Sequence, residues 1–72
     1  MEYQKALADY DRAIELNQQY TDVYNNRGNV YLDLKEYQKA IADYDRDLQL
    51  DPNHTLAKNN RERTYRLLGG NS

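Results

Sequence analysis

The chain has no cysteine, so neither a disulfide framework nor a thiolate zinc site can be built from it. Its only histidine is His54 and its only serine is Ser72, which leaves no histidine–carboxylate–nucleophile arrangement to propose. Phenylalanine and tryptophan are absent. The aromatic content is eight tyrosines, which suit half-buried helix faces where the ring packs and the hydroxyl stays wet. No apolar run approaches the roughly 20 residues needed to cross a membrane. The opening MEYQKALADYDR carries charges throughout and has no signal-peptide core. These absences lead us to expect no membrane partner and a cytoplasmic location. A chain of 72 residues admits one small domain, which buries only a modest share of its surface.

The net charge of −2 hides an asymmetry. Residues 1–54 hold six Lys/Arg against eleven Asp/Glu, whereas residues 55–72 hold Lys58, Arg61, Arg63 and Arg66 against Glu62 alone. The basic end raises nucleic acid as a partner. The chain is acidic overall, only four cations are involved and no motif accompanies them, so no nucleic-acid partner is expected.

The most informative feature is a duplication. EYQKALADYDR, residues 2–12, returns as EYQKAIADYDR, residues 36–46, with only Leu7 changed, to Ile41. An offset of 34 residues indicates stacked supersecondary units. The spacing predicts four helices. In the first, Tyr3, Ala6, Leu7, Tyr10, Ala13 and Ile14 form one apolar stripe, closed by Leu16. The second runs from about Asp22 to Leu34, with Thr21 or Asp22 as candidate cap and an apolar set of Val23, Tyr24, Val30, Tyr31 and Leu34. Gly28 in its middle implies close approach of another helix, expected to be the third at Ala40. The third, from about Glu36 to Leu50, places Tyr37, Ala40, Ile41, Tyr44 and Leu48 on its stripe before Asp51-Pro52-Asn53-His54 turns the chain. The fourth, about Thr55 to Leu68, repeats the second in more polar form. Gly69-Gly70 is expected to stop it in the left-handed conformation, and Asn71-Ser72 to be a frayed end.

Tyr24-x-x-Arg27-Gly28-x-x-Tyr31, then Ala40-x-x-x-Tyr44, then Pro52, resembles the tetratricopeptide repeat. An unrelated four-helix bundle with a chance period is the alternative. The resemblance implies an all-α fold of antiparallel helix-turn-helix repeats, a fragment of a right-handed α-solenoid. Its phasing would be a second helix of a partial repeat (residues 1–20), one full repeat (21–54) and a first helix (55–72). Three departures stand out. Arg27 and Arg61 occupy positions where the family usually has Leu, Asp47 stands where the first copy has Ala13, and Glu62 stands where the second helix has Gly28. The last two raise the question of how closely the third and fourth helices dock. Ion pairs of Asp47 with Lys58 or Arg61 are one expected answer.

Each candidate for chemistry has a plain reading. Asp43, Asp45 and Asp47 spell the start of a calcium loop, but the required Gly and Glu are replaced by Leu48 and His54, so we expect a solvated helix face. His54 reads as a turn residue, without a second metal ligand. Close carboxylates such as Asp9 and Asp43 belong to polar helix faces. No catalytic residue, metal or cofactor is expected, and the chain reads as a non-enzyme.

In the resembling family, first helices line a concave face whose asparagines hydrogen-bond an extended peptide, and some members add Lys or Arg to clamp a carboxylate. The matching positions are Asn26 and Asn60, with Asn29 one turn on from Asn25, and Asn59 and Arg63 in the fourth helix. The resemblance therefore implies a scaffold for a protein or peptide partner. The alternative is head-to-tail self-association, in which Tyr65 and Leu68 of the fourth helix dock on Tyr3, Ala6, Leu7 and Tyr10 of another copy, with charges of +3 and −2 on the two helices. Glu62 opposes that contact.

Overall fold

The computed structural model describes residues 2–69. Four helices follow in order: α1 Tyr3–Leu16, α2 Thr21–Asp33, α3 Tyr37–Leu50 and α4 Thr55–Leu68. The connections are short, so each helix folds back on the one before it. Helix α2 is central and packs on α1, α3 and α4, and α3 also packs on α4. Among the described residues no helix is long and apolar enough to cross a membrane.

The α1–α2 and α3–α4 turns are built alike. Gln19 N–H donates to Asn17 Oδ1 at 3.0 Å, and 34 positions later Asn53 N–H donates to Asp51 Oδ1 at 3.3 Å. In both, the side chain imitates a backbone turn acceptor. The α2–α3 turn works differently. Glu36 N–H reaches Tyr31 O at 2.8 Å and Lys35 N–H reaches Leu32 O at 3.0 Å, the paired bonds of a Schellman termination. Lys35 takes the left-handed conformation this requires, at φ 63°. Gly69, the equivalent position in the second copy, was expected to be left-handed and is not. Its φ is −78° and its N–H continues the helical pattern to Tyr65 O. The left-handed residue is needed where the chain must reverse into a packed helix, as at Lys35. Gly70, Asn71 and Ser72 lie outside the described residues.

The core is small and lies between α2, α3 and α4. Val23, Tyr24, Val30, Leu32, Ala40, Ile41, Tyr44 and Ala57 are buried. The α2 stripe expected from the sequence needs correction. Leu32, which it omitted, is buried, whereas Leu34 is 40 % exposed at the C-cap. A helix packed on three neighbours buries more than one stripe, and Leu34 lies past its last turn. Leu16, expected to close the α1 stripe, is 75 % exposed. Neither Thr21 nor Asp22 caps α2. The N-cap is Tyr20, no side chain caps it, and Asp22 instead lies in the first turn, where its charge complements the helix dipole.

The close approach at Gly28 is made by α3, but by Tyr44 rather than Ala40. A Cβ placed on Gly28 would stand 2.7 Å from Tyr44 Cε1, inside van der Waals contact. The Tyr44 ring is fully buried against Leu32 and Ala40, with Tyr31 and Tyr37 at its flanks. Ala gains about 1 kcal/mol over Gly in helix propensity, and overpacking costs about 1–3 kcal/mol. Gly28→Ala should therefore lower stability by about 1 kcal/mol despite the better helix former. Urea unfolding checks this, and an unchanged or raised midpoint would contradict the packing account.

Candidate partner-binding face

The polar residues of α2 and α4 divide into an ionic frame and an amide cluster. The frame centres on Arg27. Its Nε and Nη2 donate to the two oxygens of Asp43 at 2.8 and 2.7 Å, and its Nη1 donates to Asp11 at 2.8 Å. One guanidinium thus ties α2 to both α1 and α3. It also lies near the Tyr24 and Tyr31 rings, 5.8 and 5.9 Å from their centroids. The second copy repeats half of this arrangement, since Arg61 Nη1 donates to Asp45 at 2.7 Å. Arg27–Asp11 and Arg61–Asp45 share the same 16-residue separation.

The expectation of a solvated aspartate face is therefore overturned for two of its three members. Asp43 and Asp47 are buried and only Asp45 is half exposed. Asp43 and Asp47 do share a face of α3, but it is the face covered by α2 and α4. Burial pushes the Asp43 carboxyl above the ordinary carboxylate range, against the opposing pull of Arg27. The Asp43 bond in turn raises the Arg27 pKa further. Asp47 pairs with neither Lys58 nor Arg61. Both of its oxygens lie 2.8 Å from Nδ1 of His54, which stands at the start of α4. Asp47 is in the last turn of α3, so the first residue to come back within reach is the one that closes the turn.

The doubt about α3–α4 docking is also answered. Ala57 and Thr64 of α4 have no exposed surface, and Thr64 Oγ1 returns its hydrogen to Asn60 O at 2.7 Å. Glu62 lies on the exposed side, 3.5 Å from Arg66.

The amide cluster lies where α2 meets α4. Asn60 Nδ2 donates to Asn25 Oδ1 at 3.2 Å, and Tyr44 Oη donates to Asn29 Oδ1 at 2.6 Å. Burial pushes the Tyr44 hydroxyl up to about 12, partly offset by the Arg63 charge and by Thr64. Asn25 and Asn60 thus come together, with Asn29 one turn on from Asn25. Asn25 is the exception to its expected role, because it is buried and acts as a bridge between helices. Asn26 and Asn59 are exposed and make no side-chain hydrogen bond among the described residues. Asn60 reaches back to the helix one repeat earlier, and Asn26 has no such helix before it among the described residues. The stripe expected for self-association is only partly covered. Tyr3, Ala6, Leu7 and Tyr10 are half-buried, and Tyr65 and Leu68 are exposed. An open cleft of about 290 Å³ between Leu68 and the α2–α3 turn lies apart from the amide cluster.

Arg27 carried no assigned role in the sequence. The signal for it was present as two Arg–Asp pairs at one spacing in both copies, although the buried Asp43 contact was not legible that way.

The geometry defines the class as a helical repeat whose helices are stapled by buried polar groups. Two family models match. The tetratricopeptide repeat matches residues 21–54, and a second model described as TPR repeat matches residues 2–35. The chain belongs to the tetratricopeptide repeat family. Members of this family generally act as non-enzymatic scaffolds for protein–protein interaction. A search of curated proteins found no match.

Removing Arg27 would leave Asp43 buried without a counter-charge, which typically costs about 3–5 kcal/mol. Arg27→Leu should therefore be severely destabilising. Adding Asp43→Leu should recover most of the loss, since an apolar pair can replace a buried ionic one. Thermal unfolding of the two variants and the parent checks this.

Proposed function

We propose that the chain is a non-enzymatic scaffold that captures an extended peptide or a partner's exposed segment on the face shared by α2 and α4. One observation carries the reading. Asn29 spends its oxygen on the Tyr44 hydroxyl, which leaves its amide hydrogens for an incoming acceptor. Asn26, Asn59 and Arg63 are exposed around it and supply further donors. One donor fixed by a buried partner, with exposed donors on the same two helices, suits the carbonyls of an extended backbone or a carboxylate. Peptides selected from a displayed library of short random sequences provide the test. Asn26→Ala with Asn29→Asp, which keeps the acceptor for Tyr44 and removes the amide donors, should weaken their binding at least about tenfold, the scale of one or two lost hydrogen bonds. A selection that yields no binder, or binders indifferent to both changes, would count against this face.

A second reading has its own observation. Among the described residues Arg27 holds Asp11 and Asp43, but its counterpart Arg61 holds Asp45 alone. The counterpart of Asp43 is Asp9, exposed and in no ion pair among the described residues. A second copy stacked on α4 in repeat register would bring its Asp9 to Arg61. The same register sets Glu62 against Tyr10, as Gly28 is set against Tyr44, where even a Cβ stands at 2.7 Å. Association of the parent chain is therefore weak on this reading, and Glu62→Gly should strengthen it. Sedimentation across a concentration series reads the outcome. Leu7→Glu or Arg61→Ala should abolish the gain, and a strictly monomeric Glu62→Gly variant would end the reading.

A further inference from the structure

We infer that the Asp47–His54 pair is a pH-sensitive latch that sets how firmly α4 is held against α3, and through α4 the readiness of the face it shares with α2. This rests on the reading of that face as the binding surface.

The chain supplies its own control. At the equivalent place in the first copy the residues are Ala13 and Tyr20, and both differ in the second copy, to Asp47 and His54. The turn does not require the change, since both turns close with the same side-chain-to-backbone bond. Either replacement alone would be unfavourable or idle. Asp47 has no exposed surface, so without a partner it would be a buried bare charge. With His54 both its oxygens are met at 2.8 Å by one ring nitrogen.

The charges that face the pair come from three elements. Asp47 lies on α3, Asp51 in the turn and Asp22 in the first turn of α2, and all three act on the ring. On α4 itself the next charged group is Lys58, one turn on and exposed. The imidazolium thus sits among three carboxylates. When it loses its proton, the ring can still donate through Nδ1, but Asp47 becomes a buried anion beside two others.

The sign follows from the two partners. The bond to Asp47 raises the His54 pKa above its ordinary 6.5. A histidine raised on folding contributes stability that is whole below its unfolded value and is lost as pH climbs through the folded one. Burial raises the Asp47 carboxyl above 3.8, so the folded chain holds that proton more tightly too, and its ionisation costs stability as pH rises from there. The histidine favours firm docking in mild acid and looser docking in mild alkali, and the Asp47 carboxyl acts in the same direction from lower pH. Helix α4 carries Asn60, Arg61 and Arg63, so loosening it strains the Asn60–Asn25 and Arg61–Asp45 bonds together.

The test uses the intact chain, whose single histidine gives one unambiguous NMR titration. Between about pH 5.5 and about pH 8.5, the range that histidine spans, the Asn25 and Asn60 side-chain amide resonances should shift in step with His54, and the thermal midpoint should fall. Asp47→Ala with His54→Tyr, which restores the first copy's residues, should remove both responses. Asp47→Asn serves if that pair of changes does not fold, with the same loss expected. A His54 titration at the ordinary value with silent Asn25 and Asn60 amides would overturn the latch, as would a variant that keeps the parent's pH dependence. All these readouts are taken without peptide, so a failed peptide selection bears on the binding face and a failed titration on the latch.

Discussion

The seat of Tyr44 over Gly28 is the constraint on which the rest of this small structure depends. The ring needs a backbone without a Cβ beneath it, and it reaches across α2 far enough for its hydroxyl to find Asn29. That one contact sets the separation of α2 and α3, buries Ala40 beside Leu32, and fixes the orientation of an amide on the candidate binding face. The residue that fills the core thus also decides which hydrogens Asn29 presents.

Around this contact the helices are also tied by ion pairs to the buried Asp43 and Asp47. A domain this short buries little apolar surface, and α1 contributes no fully buried side chain. Arg27 bridges α1, α2 and α3, and His54 closes on Asp47 at the entry to α4. Paired charges of this kind add little over an apolar pair, but they penalise any register that leaves one partner alone. The arrangement thus suits a repeat, in which a slipped helix would otherwise find another similar stripe to pack on. The second copy departs from the first where these devices lie. Asp47 and His54 replace Ala13 and Tyr20, and Glu62 replaces Gly28. The two copies, near-identical over residues 2–12 and 36–46, present different edges at Gly28 and Glu62.

Much of this architecture was legible from the chain. The 34-residue duplication and the 3.6-residue stripes determined four helices, their order, their turns and the family. These depend on local propensity and on patterns within one helix, which a sequence displays openly. The Gly28 contact was half legible. A mid-helix glycine announces a neighbour but does not say which residue of that neighbour arrives, and Tyr44 rather than Ala40 fills the space.

Only the tertiary structure decided which polar residues are inside. Asp43, Asp47 and Asn25 look like surface residues because charge and amide groups usually are, and their burial is possible only because Arg27, His54 and Asn60 arrive from other helices. Leu32 and Leu34 exchange their expected roles for a related reason, since α2 is enclosed by three helices and its end is not. Periodicity within a helix says which side chains share a face. What lies opposite that face, and hence whether a carboxylate there is solvated, paired or poised to respond to pH, is set by the packing of helices distant in sequence.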